Sequence, residues 1–543
     1  MKYARHLHTV RYLKPVQIYG RVLRRIYIPG PRAGAAPPRR VPPGPWVLPA
    51  SRCPSMTGPS AFLLLNRAGA VRDAADWRDP ARQRLWLYNL HYFDDLTADG
   101  FRDRAAWHRA LVDRWVRENP PGIGVGWEPY PLSLRVANWV KWALCGGALS
   151  GDAVASLATQ ARHLERRVEH HIQGNHLLAN AKALACAGLF FEGREAERWL
   201  AAGWRLYRRQ LREQILADGG HFELSPMYHS LILEDLLDML NLHRASGVPI
   251  PGGALTGELV SSMRRWLKTM THPDGQIAFF NDAAIGVAAS PAEIEAYAAR
   301  LALPAVPEPA DGLTRLPASG YARLQRGAAV AIVDIGRIGP DHIPGHAHAD
   351  TLSFELSLHG RRLVVNTGVS LYEAGDERAR QRGTAAHSTV IVDGADSSEV
   401  WGAFRVARRA RPFGVACADE GPLGLVATAG HDGFRRLAGD VLHRRTWRLT
   451  DRNLTVTDDV LGDRRNAVAI YHLHPDVQGV VPGPAAGAVR LALCRQPIRV
   501  AFAAPYALVA EDEYHASFGQ TAPAFRLEVP VRPESREVRI AWE

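Results

Sequence analysis

The sequence predicts an α+β protein in which a domain of packed helices is followed by an antiparallel β-sandwich. Three observations carry this. At 543 residues the chain is too long for one ordinary domain. From about Trp77 to Leu301 the apolar residues recur at helical spacing, with no strand-like stretch between. After "ADGLTRLPASGYARL", which starts at Ala310, the period changes to two.

The elements follow in order. Residues 1–48 form a basic amphipathic arm whose apolar positions (Val10, Leu13, Val16, Ile18, Val22, Ile26) suit one or two helices, then a proline-rich linker that cannot be helical. Residues 49–313 hold the helical domain. "RAAWHRALVDRWVREN" sets Trp107, Leu111 and Trp115 on one face, and Pro131 suits a helix start in "PLSLRVANWVKWAL". Further helices are expected over Asp152–His171, Asn175–Phe191, Glu195–Leu216, Tyr228–Ala245 and Thr256–Met270, divided by Gly or Pro breaks, and the pairs could close as a toroid or extend as a solenoid. Residues 314–543 hold the sandwich. In "DTLSFELSLHG" Leu352, Phe354, Leu356 and Leu358 point one way and Ser353, Glu355 and Ser357 the other, and "AVAIVDIG", "HSTVIVDG", "AVAIYHLH" and "REVRIAWE" read alike.

Composition narrows the function. A hydrophobic share of 47% with 22% charge fits a folded globular chain, and no run approaches the length of a membrane span. Cys53, Cys145, Cys186, Cys417 and Cys494 are scattered and odd in number, which suits buried free thiols. The net charge of +11 favours an anionic partner, although a genome that writes Arg for Lys would give the same excess. No P-loop, GxSxG or HExxH is present, and no clustered basic groove motif argues for nucleic acid. No signal peptide is legible, so a cytoplasmic or peripheral inner-membrane location is expected, with the arm as a membrane contact, or a periplasmic one if the start is misassigned.

Polar residues gather in "GVGWEPYPLSLRVANW", "HHIQGNHLLANAKAL", "DGGHFELSPMYHSLILEDLL" and "HIPGHAHADTLSFEL". Taken singly, an Asn at a helix start is usually a cap, a helical Tyr usually packs, and HxH is as often a polar loop as a site. Together with "LWLYNLHYFDDL", "PDGQIAFFNDAA" and "LVVNTG…AAHSTV", these stretches resemble the heparinase II/III family of polysaccharide lyases from about Leu85 to His387.

The resemblance implies an (α/α) toroid joined to a C-terminal β-sandwich, and β-elimination at a uronic acid of an acidic polysaccharide. Asn175 matches the asparagine that neutralises the substrate carboxylate, with His176 beside it as the alternative or a substrate contact. Tyr228 matches the tyrosine acting as base or acid, and His346 its catalytic partner. Trp127, Tyr130, Arg135 and Asn138 are candidate sugar-binding residues. His348, Asn366 and His387 fall where some members hold a divalent metal, zinc or calcium; the neutral Asn366 is a departure, and the three residues could instead support the loop carrying His346. No organic cofactor is implied. A C5-uronate epimerase and a non-catalytic acidic-glycan-binding protein are the competing readings.

Overall fold

The computed structural model describes the chain except residues 1, 254, 463–465, 483–486, 494–495, 503–507 and 543. Cys494 lies outside the described residues. Of the other cysteines, all free, Cys186 is buried but Cys53 is exposed, against the expectation of buried thiols.

Helices run over Arg84–Tyr92, Ala105–Glu118, Pro129–Leu144, Gly151–Glu165, Gly174–Phe190, Arg194–Gln214, Pro226–Ser246, Gly257–Thr269 and Pro291–Arg300. Their starts are chemically marked. Ser150, Ser225, Thr256 and Ser290 each cap a helix by accepting an N–H three residues on. Pro129 opens its helix at a position where the missing N–H costs nothing. Gly174–Phe190 is buried on almost every side, which its alanines and small residues permit, and it packs against Pro129–Leu144, Arg194–Gln214 and Pro226–Ser246. A three-stranded sheet over Met56–Gly58, Ala61–Leu64 and Arg67–Ala70 precedes these helices; its strands are too short to show a period in the sequence.

Two antiparallel sheets form the second unit. One runs in the order Pro412–Asp419, Leu425–His431, Leu442–Leu449, Asn453–Leu461, Glu537–Trp542, Gln496–Phe502, Ala488–Leu493, Val477–Pro482. The other runs Leu508–Tyr514, Ala522–Pro530, Ala467–Leu473, Arg361–Val365, Phe354–Leu358, Ala329–Asp334, Tyr321–Arg326, Gly312–Leu316. Leu356, Leu363, Trp447, Val456 and Ile540 fill the space between them. One charge crosses this core: the Arg445 guanidinium grips Asp458 at 2.7 and 2.8 Å and also donates to the carbonyls of Leu352 and Ser388.

The alternation read in "DTLSFELSLHG" is present, but its polar face does not meet water. Ser353, Glu355 and Ser357 are all fully buried. Glu355 accepts hydrogen bonds from His272 at 2.9 Å, the Phe279 N–H at 3.1 Å and the Asn366 N–H at 2.9 Å, so this face is the floor on which the helical domain rests.

The arm folds as two helices, Lys2–Val10 and Pro15–Ile26. It spans both units: Lys14 pairs with Glu213 of the helical domain, while Trp401 of the sandwich donates to Thr9 at 3.1 Å. The proline-rich stretch lies along the helices, where Arg40 donates to the carbonyls of Leu189 and Phe191.

Candidate active site

Where the arm, the helices and the loops of the sandwich meet, a cavity of about 960 Å³ opens. Asn175, His176, Tyr228 and His346 all line it, and so do Tyr130 and Asn138. Each is placed by local chain geometry. Gln173 and Gly174 both have positive φ (74° and 60°), which turns Asn175 into the cavity at the first turn of its helix. At Gly174 no side chain fits: a Cβ would lie 2.4 Å from a Glu223 oxygen. Tyr228 sits in the first turn of Pro226–Ser246, its N–H held by the Ser225 cap at 3.2 Å.

The chemistry centres on Asp282. Its carboxylate lies 2.8 Å from His346 Nδ1 and 2.8 Å from His348 Nε2, and it accepts a two-pronged ion pair from Arg378. Burial acts to raise this carboxyl, but Arg378 and the two histidine hydrogen bonds outweigh it and hold Asp282 well below the usual carboxylate range. A permanent carboxylate fixes the proton of His346 on Nδ1 and leaves Nε2 as an acceptor facing the cavity. There Nε2 lies 3.5 Å from the Asn175 amide nitrogen. The His346 ring packs 3.9 Å, centre to centre, from that of Tyr228. Burial pushes the Tyr228 phenol well above its ordinary value, so it stays protonated; its hydroxyl meets Tyr372 at 3.2 Å.

Asn175 is oriented by Glu223, which accepts its backbone N–H at 3.0 Å and its side-chain amide at 3.0 and 3.2 Å. His176 pairs with Glu169 at 3.1 Å. Burial works against its charge, but Glu169 prevails and raises the imidazole above its ordinary value. Tyr130 lies against the same ring at 4.2 Å.

Two expected sugar contacts are elsewhere. Trp127 is buried and donates to the Asn119 carbonyl. Arg135 is fully buried; its guanidinium binds Gln160 and the carbonyls of His91 and Gly126, and it packs on Trp115. Asn138 lines the cavity while donating to the Tyr92 carbonyl and Asp94.

The three residues considered as metal ligands do not fit a divalent ion. The Asn366 amide is turned to the backbone, donating to the Phe279 carbonyl at 2.8 Å and accepting from the Ser388 N–H at 3.1 Å. His348 is engaged on both nitrogens, by Asp282 and by His387 at 3.2 Å. The nearby carboxylate, Asp282, is already claimed by Arg378. His387 Nδ1 has no partner among the described residues, which leaves one lone imidazole nitrogen and no ligand set around it. As arranged, His387, His348, Asp282 and Arg378 form a buried polar chain beneath His346. No local pattern gives Asp282, Glu223, Glu169, Tyr372 or Arg378 a role; Glu223 stands inside the polar stretch "DGGHFELSP" and Asp282 inside "PDGQIAFFNDAA".

A helical toroid set against an antiparallel sandwich, with Asn, Tyr and His brought together in the cleft between, defines a recognisable class of protein. The family model "Heparinase II/III-like, C-terminal" matches residues 308–543 and "Heparinase II/III N-terminus" matches residues 151–300. The chain belongs to the heparinase II/III-like family. A heparin-sulfate lyase of Pedobacter heparinus is 27% identical over 314 residues, covering 51% of this chain and 46% of that protein. One from Bacteroides stercoris is 23% identical over 325 residues, covering 56% and 46%. The chain thus spans about half the length of these curated relatives. A crystal structure of heparinase III matches with a TM-score of 0.68 at 17% identity, over 88% of this chain and 79% of that one, a likeness of fold.

Proposed function

We propose that this protein is a polysaccharide lyase that cleaves a uronic-acid-containing polysaccharide by β-elimination. The observation that carries this is the Asp282–His346 pair presenting Nε2 to the cavity beside Asn175, with Glu223 3.8 Å away, and a protonated Tyr228 packed against the same ring. Abstraction of a proton α to a carboxylate needs a base and a means of holding the dianion that develops. In this reading the substrate carboxylate rests against the Asn175 amide and His176, whose imidazole Glu169 inclines toward its charged form. His346 Nε2 takes the C5 proton, the electron pair becomes the C4–C5 double bond as C4–O4 breaks, and the departing O4 takes the Tyr228 proton. The heparin-sulfate lyases among the relatives support the substrate class.

Incubation with a panel of uronate polysaccharides should raise near-UV absorbance as the 4,5-unsaturated product forms. Tyr228→Phe should lower kcat by about 10²–10⁴ while polymer binding persists. Wild-type turnover surviving that substitution would remove Tyr228 from the mechanism. Exchange of the C5 proton with solvent, without absorbance, would point instead to a C5-epimerase.

A further inference from the structure

The arm contributes more than packing to the cavity, since Leu13, Gln17 and Arg21 line one wall of it. Facing them is a small hairpin of the sandwich, Val400–Trp401 paired with Arg405–Val406. Two guanidiniums gather over Trp401, and a third, Arg21, lines the same cavity. Arg405 lies 4.7 Å from its ring centre and Arg5 5.1 Å, and Arg21 is close enough to Arg405 for the two charges to act on each other. Neighbouring arginines are neutralised: Arg408 by Glu399 and Arg409 by Asp341. Among the described residues Arg5, Arg21 and Arg405 have no carboxylate partner, and Arg5 Nε is buried without a hydrogen bond. No Asp or Glu precedes Asp73 in the chain, so the arm cannot answer its own charge. Although the residue is exposed, partial desolvation at the cavity wall and the Arg405 charge together hold the Arg21 guanidinium below its ordinary value. Like charges gathered without counter-charge at a cavity wall are stabilised by an incoming anion, and the guanidinium fork matches a carboxylate or sulfate.

We infer that Arg21 of the arm and Arg405 of the hairpin form an oxyanion subsite that receives a carboxylate or sulfate group of the polysaccharide, in addition to the Asn175–His176 site. Arg5, which does not line the cavity, reinforces the field from behind Trp401. This inference rests on the lyase reading for its ligand, and it makes the arm a working wall of the cleft.

The test uses the full-length chain with Arg21→Ala, Arg405→Ala and the double variant. Both side chains are on exposed residues, so the fold should be retained, as unchanged melting would verify. On whichever uronate polymer is turned over, each single variant should raise KM roughly three- to tenfold, the double variant more, with the loss falling on KM and the dependence on salt becoming shallower. Arg405→Lys should recover part of the loss. Sulfated and unsulfated polymers run side by side separate the two anions: a larger effect on the sulfated chain assigns sulfate, an equal effect carboxylate. The same polymers titrated calorimetrically into Tyr228→Phe protein, with and without the arginine changes, report the subsite without turnover. Weakened binding there upholds the subsite even if no polymer is cleaved. Cleavage with KM and binding unchanged overturns it and leaves the lyase reading intact. Loss of sedimentation with phosphatidylglycerol vesicles, with KM unmoved, would likewise overturn it in favour of a lipid contact.

Discussion

Asp350 takes no part in the cavity, yet it governs how the site is held. Its carboxyl accepts the Asn281 N–H at 3.0 Å, and the Asn281 side chain in turn accepts the His348 N–H at 3.0 Å. Burial pushes Asp350 up to about 7, and burial together with Asp350 pushes Asp334 well above the carboxylate range. A carboxyl raised in the folded state favours folding while protonated; that contribution is complete below the unfolded value near 4 and lost as pH rises through 7. Asp350→Asn should therefore flatten the stability profile between about pH 4 and 7 relative to the wild type, measured as midpoints of chemical denaturation. Parallel profiles would show that Asp350 ionises normally. His348 gives a second expectation: with Asn366 and Asp282 committed elsewhere, dialysis against a chelator should leave turnover unchanged, and a loss restored by zinc or calcium would refute this. At this scale Asn175, His176, Tyr228 and His346 were legible only through the motifs of the family resemblance, since singly each reads as an ordinary cap, packing residue or polar loop; the structure brings all four to one cavity. The sequence misplaced Arg135 because that residue lies one step off the stripe Tyr130, Leu134, Asn138, Lys141 that faces the cavity. Asp282 was hidden for a different reason: its partners come from residues 346, 348 and 378, and no local pattern announces them.

Among the elements, the strand Phe354–Leu358 joins the two units. Its apolar side enters the sandwich core and its polar side carries Glu355, which ties His272, the Phe279 and Asn366 N–H groups and the Arg362 charge into one buried cluster. Glu355→Ala would strand the His272 donor and the Phe279 and Asn366 N–H groups and remove a counter-charge from Arg362, which keeps Asp274, and should destabilise the protein by about 3–5 kcal/mol. Glu355→Gln keeps part of the hydrogen bonding and should cost less. Equal denaturation midpoints for Glu355→Ala and the wild type would contradict the cluster's importance. The period of two revealed the strand, but alternation alone cannot say whether a polar face meets solvent or another domain. The helices were legible to within a few residues at most ends because caps and prolines mark them; the small N-terminal sheet was not.

Across the whole molecule, the division into helices and then strands was plain, since the change of period near residue 310 reports a change in what each segment must bury. The arm was the least legible part. Its cationic, amphipathic character suits a membrane surface or a protein surface equally well, and its contacts show one face seated on the protein while Leu7, Val22 and Ile26 stay exposed. Those contacts reach far along the chain: Thr9 and Trp401 are 392 residues apart, and Tyr12 lies against Arg409. During synthesis the arm emerges well ahead of the hairpin it docks on, with 392 residues separating Thr9 from Trp401. Throughout that interval Tyr12, Leu13 and Val16, half-buried in the finished protein, have no complete partner surface, and the nascent arm is left to chaperones or to chance encounters with other apolar surfaces. Seating of the arm then waits for a hairpin made much later, and completion of the cleft is coupled to that docking step.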